Sequence, residues 1–227
     1  MAEIILYLGE SGVGKTTSLR HLDPKHTVIV SPNSKSLPFP GGDAAYVDGV
    51  NHIHTNKLTE VFGVLKHVND SMPDVKVIVL DDFFHFISAR IFDPTFLGRT
   101  KGNDAFAKWN ELGADVFNTI FSQSQNLRND LYIIIMAHTA VKDDGTVSIK
   151  TAGKLMDNTI DIPSYFSYIF HGIIKEDDAG VHYVMQTNRN SIYHAKTPMG
   201  AFPELYIPND MNHIIGTINN YRFTPVQ

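Results

Sequence analysis

A run of five apolar residues, Ile4 to Leu8, feeds directly into Gly9-Glu10-Ser11-Gly12-Val13-Gly14-Lys15-Thr16. This feature constrains the chain more than any other. An unbroken apolar run suits a strand covered on both faces, the setting of a parallel sheet. Gly12 and Gly14 allow the backbone to curl so that its N–H groups converge, and the segment after Lys15 reads as a helix to Leu22, stopped by Asp23-Pro24. Strand, glycine loop and helix N-terminus together make a cradle for phosphate groups. In that pattern Gly9 to Thr17 surround the phosphates, Lys15 reaches the β- and γ-phosphates, and the Thr16 hydroxyl is a ligand for Mg²⁺. The ligand this predicts is ATP with Mg²⁺.

Further strands follow at Thr27–Val30, 75–80 and 131–137. Helical spacing occupies 56–71, 83–92 and 103–129 between them, and 31–43 and 93–102 read as loops. Alternating apolar strands and helices predict an α/β fold with a mostly parallel sheet flanked by helices. After Ala137 the texture changes. Turn signals at Asp143-Asp144-Gly145 and at 176–180 predict antiparallel hairpins attached to that sheet. A short helix is expected over 154–160 and a last one over 209–221, capped by Asn209 or Asp210. The expectation is one domain over 1–227, with a core at 1–140 and a hairpin extension at 141–227.

Val77 to Leu80 ends in Asp81, an acidic group at the carboxyl end of a buried strand, where ligands bind in open α/β sheets. Asp81 is the candidate to hold Mg²⁺ alongside Thr16, or else a helix cap. Asp82 is either the base that orients an attacking water or a helix cap. His138 ends the strand 131–137; it faces the γ-phosphate if that strand lies beside the Asp81 strand. Arg189 and Lys196 are candidates to reach a neighbouring subunit's phosphates, with Lys150 and Lys154 a further basic pair for the same role or for a DNA backbone. The loop around Leu37-Pro38-Phe39 either covers a nucleotide or is a proline-pinned surface loop. His52 and His54, two apart, lack the third ligand a metal site needs.

Charge and composition set limits. The net charge of −5 provides no global field toward nucleic acid, so any such contact rests on a local patch. The chain has no cysteine, which excludes disulfides and thiolate metal sites. No membrane-length apolar run occurs, and a soluble, cytoplasmic protein is expected.

Several segments carry a resemblance. Residues 9–20, Leu37-Pro38-Phe39, Leu80-Asp81-Asp82-Phe83, Ala137-His138-Thr139, 149–154 and 195–202 resemble bacteriophage RecA-like ATPases, the AAA family ATPases found among phage DNA-replication and recombination genes. The resemblance implies a RecA-type core, ATP hydrolysis and a part in phage DNA metabolism, whether recombination, annealing or replication, in the host cytoplasm. The resulting picture is a homo-oligomer with ATP at a subunit interface, DNA as partner (single strands favoured), and a phage replication or recombination protein as a possible recruiter. One departure stands out. RecA-type enzymes draw a catalytic glutamate from a strand between the two acidic and glycine motifs, and residues 44–56 contain none. A nucleotide-gated binding module with negligible turnover is therefore the alternative. A small P-loop kinase fits less well, because the six arginines are scattered rather than gathered in a lid. An AAA+ machine would place a helical lid after the core, where residues 164–195 read as strands.

Overall fold

The computed structural model describes residues 1–97, 103–151 and 160–224; within these, the side chains of Thr95, Leu97 and 103–106 are left aside. An eight-stranded sheet divides the molecule into two apolar layers. Its strands are β1 (Glu3–Leu8), β2 (Thr27–Ser31), β3 (His52–His54), β4 (Val77–Leu80), β5 (Tyr132–Ala137), β8 (Tyr168–Asp177), β9 (Gly180–Gln186) and β10 (Tyr206–Pro208). Their order across the sheet is β10-β9-β8-β1-β5-β4-β2-β3. The six strands from β8 to β3 run parallel, and β9 and β10 extend one edge antiparallel.

The two layers follow from strand alternation. Leu6, Leu8, Ile133, Ile135, Val30 and Leu80 face one side. There they meet α1 (Leu58–Ser71), α2 (Phe83–Phe92) and α3 (Asn103–Val116), the last continued by a π-helical stretch at Phe117–Ser122. Ile5, Tyr7, Ile134 and Met136 face the other side, against Leu19, Leu22 and the closing helix α4 (Met211–Phe223). Burial on both faces explains why these strands read as unbroken apolar runs.

Several expectations need correction. The segment after Lys15 is a tight 3-10 helix, Thr16–His21, rather than a regular α-helix to Leu22. The stretch expected as loop at 93–102 contains a helical turn, Pro94–Leu97, and the single helix expected at 103–129 changes to π geometry at Phe117. Of the two hairpins, only β8–β9 belongs to the main sheet; β6 (Thr139–Val141) and β7 (Val147–Ile149) form their own two-stranded ribbon. β8 has a double character: it is parallel to β1 over Tyr168–His171 and antiparallel to β9 from His171 onward. The short strands β3 and β10 were missed because three residues carry no legible period. The helix expected at 154–160 lies outside the described residues except for Ile160. Asp210, not Asn209, caps α4, accepting from the backbone N–H groups of Asn212 and His213.

His171 sits where β8 changes partners, 2% exposed, with its Nδ1 lacking a hydrogen-bond partner. Burial, with smaller contributions from Lys15 and His194, holds its imidazole down to about 4. The folded state thus keeps His171 neutral, while the unfolded chain takes up a proton below about pH 6.5. Stability from this group is complete above that pH and declines as pH falls toward 4, at about 1.4 kcal/mol per pH unit. Urea unfolding of His171→Leu across pH 4 to 7 should show a correspondingly shallower acid slope. An unchanged slope would show that His171 is not the proton-linked group.

Candidate functional site: a phosphate cradle joined to an acidic strand end

The loop after β1 curls as the glycines permit. Gly12 and Gly14 have φ of 88° and 82°, in the left-handed region where side chains are disfavoured. At Gly14 there is also no room: a Cβ would lie 2.5 Å from Asn209 Nδ2. Asn209 is 4% exposed and braces the loop from behind. Its amide donates to the Gly14 carbonyl at 2.8 Å, and its Oδ1 accepts from the Tyr7 hydroxyl at 2.8 Å. Arg20 Nη1 donates to the Asn209 backbone carbonyl at 2.8 Å. Val13 packs inward, with its Cγ2 2.6 Å from where a Gly9 Cβ would be.

Lys15 is 9% exposed, and its ammonium donates to the carbonyls of Gly9 and Glu10, each at 2.8 Å. Burial lowers its pKa, opposed by the charges of Asp81, Asp82 and Glu10. Thr16 Oγ1 donates to Asp81 Oδ2 at 2.9 Å. Burial pushes the Asp81 carboxyl up, against the Thr16 bond and the Lys15 charge, while Asp82 adds to the rise. A partly buried carboxylate beside a buried ammonium and a hydroxyl suits a ligand that brings both anionic and cationic charge.

Asp82 occupies the N-cap position of α2, but its side chain makes no cap hydrogen bond. Its φ and ψ of 65° and 55° are left-handed, the sole such case outside glycine among the described residues. That turn directs its carboxylate at two histidines. Asp82 Oδ1 lies 2.7 Å from His85 Nδ1 and 3.3 Å from His138 Nε2, both at ion-pair distance. β5 is hydrogen-bonded to β4, which sets His138 beside the acidic pair as the sequence anticipated. Burial lowers the pKa of His138, with Lys15 the next cause and Asp82 opposing.

A cavity of about 450 Å³ gathers these groups. Ser11, Gly12, Gly14, Lys15, Thr16 and Thr17 form one wall, and Asp81, Asp82 and His138 another. Lys35 to Pro38 and His52 also line it. His52 and His54 share the Ser31 hydroxyl, at 2.9 and 3.1 Å. Glu10 contributes its carbonyl and points its side chain outward.

A family described as an AAA domain matches residues 2–199. The chain belongs to that AAA domain family. It is therefore a P-loop, nucleotide-binding domain of ATPase type. No curated protein matches it. The matched span of this AAA domain stops short of β10 and α4, so Asn209 braces the glycine loop from outside it.

The remaining candidates lie elsewhere. Arg189 and Lys196 are exposed and do not line the cavity. Lys196 pairs its backbone with Ile169 on β8. Lys150 bonds the His138 carbonyl through its N–H at 2.8 Å and lays its ammonium over Phe84 of α2, 4.6 Å from the ring centre. Lys154 lies outside the described residues. His85 was missed: it is an ordinary helical residue in the sequence, and only its position three residues after Asp82 hinted at a contact.

Left-handed geometry costs a non-glycine residue roughly 1–3 kcal/mol. Asp82→Gly should therefore leave the urea-unfolding free energy within about 1 kcal/mol of the parent or raise it, whereas Asp82→Val should destabilise by more than that. A loss above about 2 kcal/mol in the glycine variant would mean that the carboxylate holds the fold together and is not strained for another purpose.

Proposed function

We propose that this AAA domain hydrolyses ATP with Mg²⁺ as a RecA-like, phage-type motor in DNA metabolism. The observation that carries the nucleotide chemistry is the Thr16–Asp81 contact at 2.9 Å beside the Lys15 ammonium. A hydroxyl and a carboxylate are hard oxygen donors that suit Mg²⁺ arriving with a triphosphate. When bound, that ion supplies neutralising charge at the β- and γ-phosphate oxygens.

The chain's own groups divide the remaining work. The amides of 12–16 and the Lys15 ammonium bind the phosphates and shield their charge. Asp82 accepts the proton of the attacking water, taking the place of the glutamate missing from 44–56. His138, fixed against Asp82 at 3.3 Å, contacts the γ-phosphate and reports its loss to the β6–β7 ribbon that follows it. Glu60 is not available for this chemistry, because Thr55 and Lys57 hold its carboxylate.

Support for a nucleic-acid partner comes from the resemblance. Burial is the main reason that the His194 imidazole is lowered; Arg189, Lys142 and Lys196 each add to it and Asp161 opposes. His194 itself lies against the ribbon, since its N–H donates to the Val147 carbonyl. In a homo-oligomer, Lys196 or Arg189 would reach a neighbour's phosphates. The kinase reading loses ground for a specific reason: Arg20, Arg90, Arg128 and Arg222 are bound to carbonyls or carboxylates within the fold. A binding module with negligible turnover keeps one supporting fact, that two histidines stand within ion-pair distance of the Asp82 carboxylate.

Phosphate release should be measured with and without single-stranded DNA. Lys15→Ala should lose about 100-fold or more of the turnover. Asp82→Asn should lower kcat by roughly 10²–10⁴ with ATP affinity kept. DNA should stimulate the parent protein. Tight ATP binding without phosphate release, even with DNA, would select the binding module instead.

A further inference from the structure

Gly12, Gly14 and Thr17 line two cavities, one on each side of the loop. The first holds Lys15, Thr16 and Asp81. The second measures about 720 Å³, and its floor is the exposed face of β9. Tyr183 lies directly on the loop: its ring edge is 3.3 Å from where a Gly14 Cβ would be. Alternation puts Val181 on the same face, and Ile174 on β8 pairs opposite Tyr183. Tyr183, Val181 and Ile174 are 48%, 54% and 40% exposed. They continue the sheet face that the 3-10 helix and α4 cover further along. An uncovered aromatic and aliphatic floor beside a phosphate cradle is a platform for a flat ring.

We infer that this second cavity takes the base and ribose of a purine nucleotide, stacked on Tyr183. The inference rests on the nucleotide reading above. With phosphates held by 12–16, the shared wall of Gly12, Gly14 and Thr17 gives the nucleoside a short path into the β9 cavity. Arg20 forms part of the far wall. Its Nη1 is committed to the carbonyls of Thr17 and Asn209, at 3.2 and 2.8 Å, which fixes the guanidinium and leaves its other N–H groups for acceptors on the ring or sugar. Stacking dominates this recognition, and every base has a π-face, so binding falls off gradually from purine to pyrimidine.

The experiment is calorimetric titration of the full chain with Mg·ATP and, separately, with magnesium tripolyphosphate. Tyr183→Ala should weaken ATP binding about 10-fold or more and leave tripolyphosphate binding unchanged. Tyr183→Phe should stay close to the parent. Unchanged ATP affinity in Tyr183→Ala would overturn the inference. An equal loss of both ligands would also overturn it, since Tyr183 would then only prop Gly14. If circular dichroism shows Tyr183→Ala unfolded, Val181→Glu tests the same floor: selective loss of ATP supports the site, and unchanged ATP binding refutes it. Lys15→Ala separates the two readings, because it should weaken both ligands. A parent protein that binds neither ligand would remove the nucleotide reading and this one with it.

Discussion

The hydrogen bond from Thr16 to Asp81 ties together two segments 65 residues apart, the glycine loop and the acidic strand end. It exists because β1 and β4 run parallel on either side of β5, so that their carboxyl ends point the same way; Leu80 is level with Leu6, and Asp81 follows it toward the cradle. The intervening strand sets the gap between cradle and carboxylate, and it brings His138 into that gap. Lys15 is buried and Asp81 partly so, and desolvation works against the charge of each. The folded chain keeps this opposed pair together at a desolvation cost, as expected of a site shaped for a charged ligand.

Support for the cradle is spread widely along the chain. Asn209 reaches the loop from 195 residues away and joins it to Tyr7 on β1. Arg20 locks the same asparagine through its backbone, and Asp210, next in sequence, both caps α4 and accepts from His21 at 2.7 Å. The closing helix is thereby bound to the glycine loop at its N-terminus and to the apolar layer through Met211, Ile214 and Ile218. On the opposite side, Lys150 binds the ribbon after His138 to α2 through Phe84.

Much of this was legible in the sequence, and the reason is locality. Gly9 to Thr16 and Val77 to Asp81 each declare their structure within a few residues, since buried parallel strands need continuous apolar runs and a phosphate loop needs glycine at set positions. Placing His138 next to Asp82 required only strand order. What escaped the sequence depends on contacts between distant segments or on backbone geometry that residue type does not dictate. Asp82 can adopt the left-handed region, but nothing in Leu80-Asp81-Asp82-Phe83 says that it does. His85 gains its role only through that turn. Asn209 looked like a helix cap because the cap and the brace use adjacent residues with the same chemistry. Tyr183 read as one more strand residue, and the uncovered state of its face emerges only when the coverage of the whole sheet is known.

The central claim is that the loop and the acidic strand end form one magnesium–triphosphate site. A crystal structure with Mg²⁺ and a non-hydrolysable ATP analogue tests it most directly. The triphosphate should lie against the amides of residues 12–16, with Lys15 turned from the Gly9 and Glu10 carbonyls onto its oxygens and the metal between Thr16 and the Asp81 side. A triphosphate bound elsewhere, or a metal out of reach of both Thr16 and Asp81, would contradict the account.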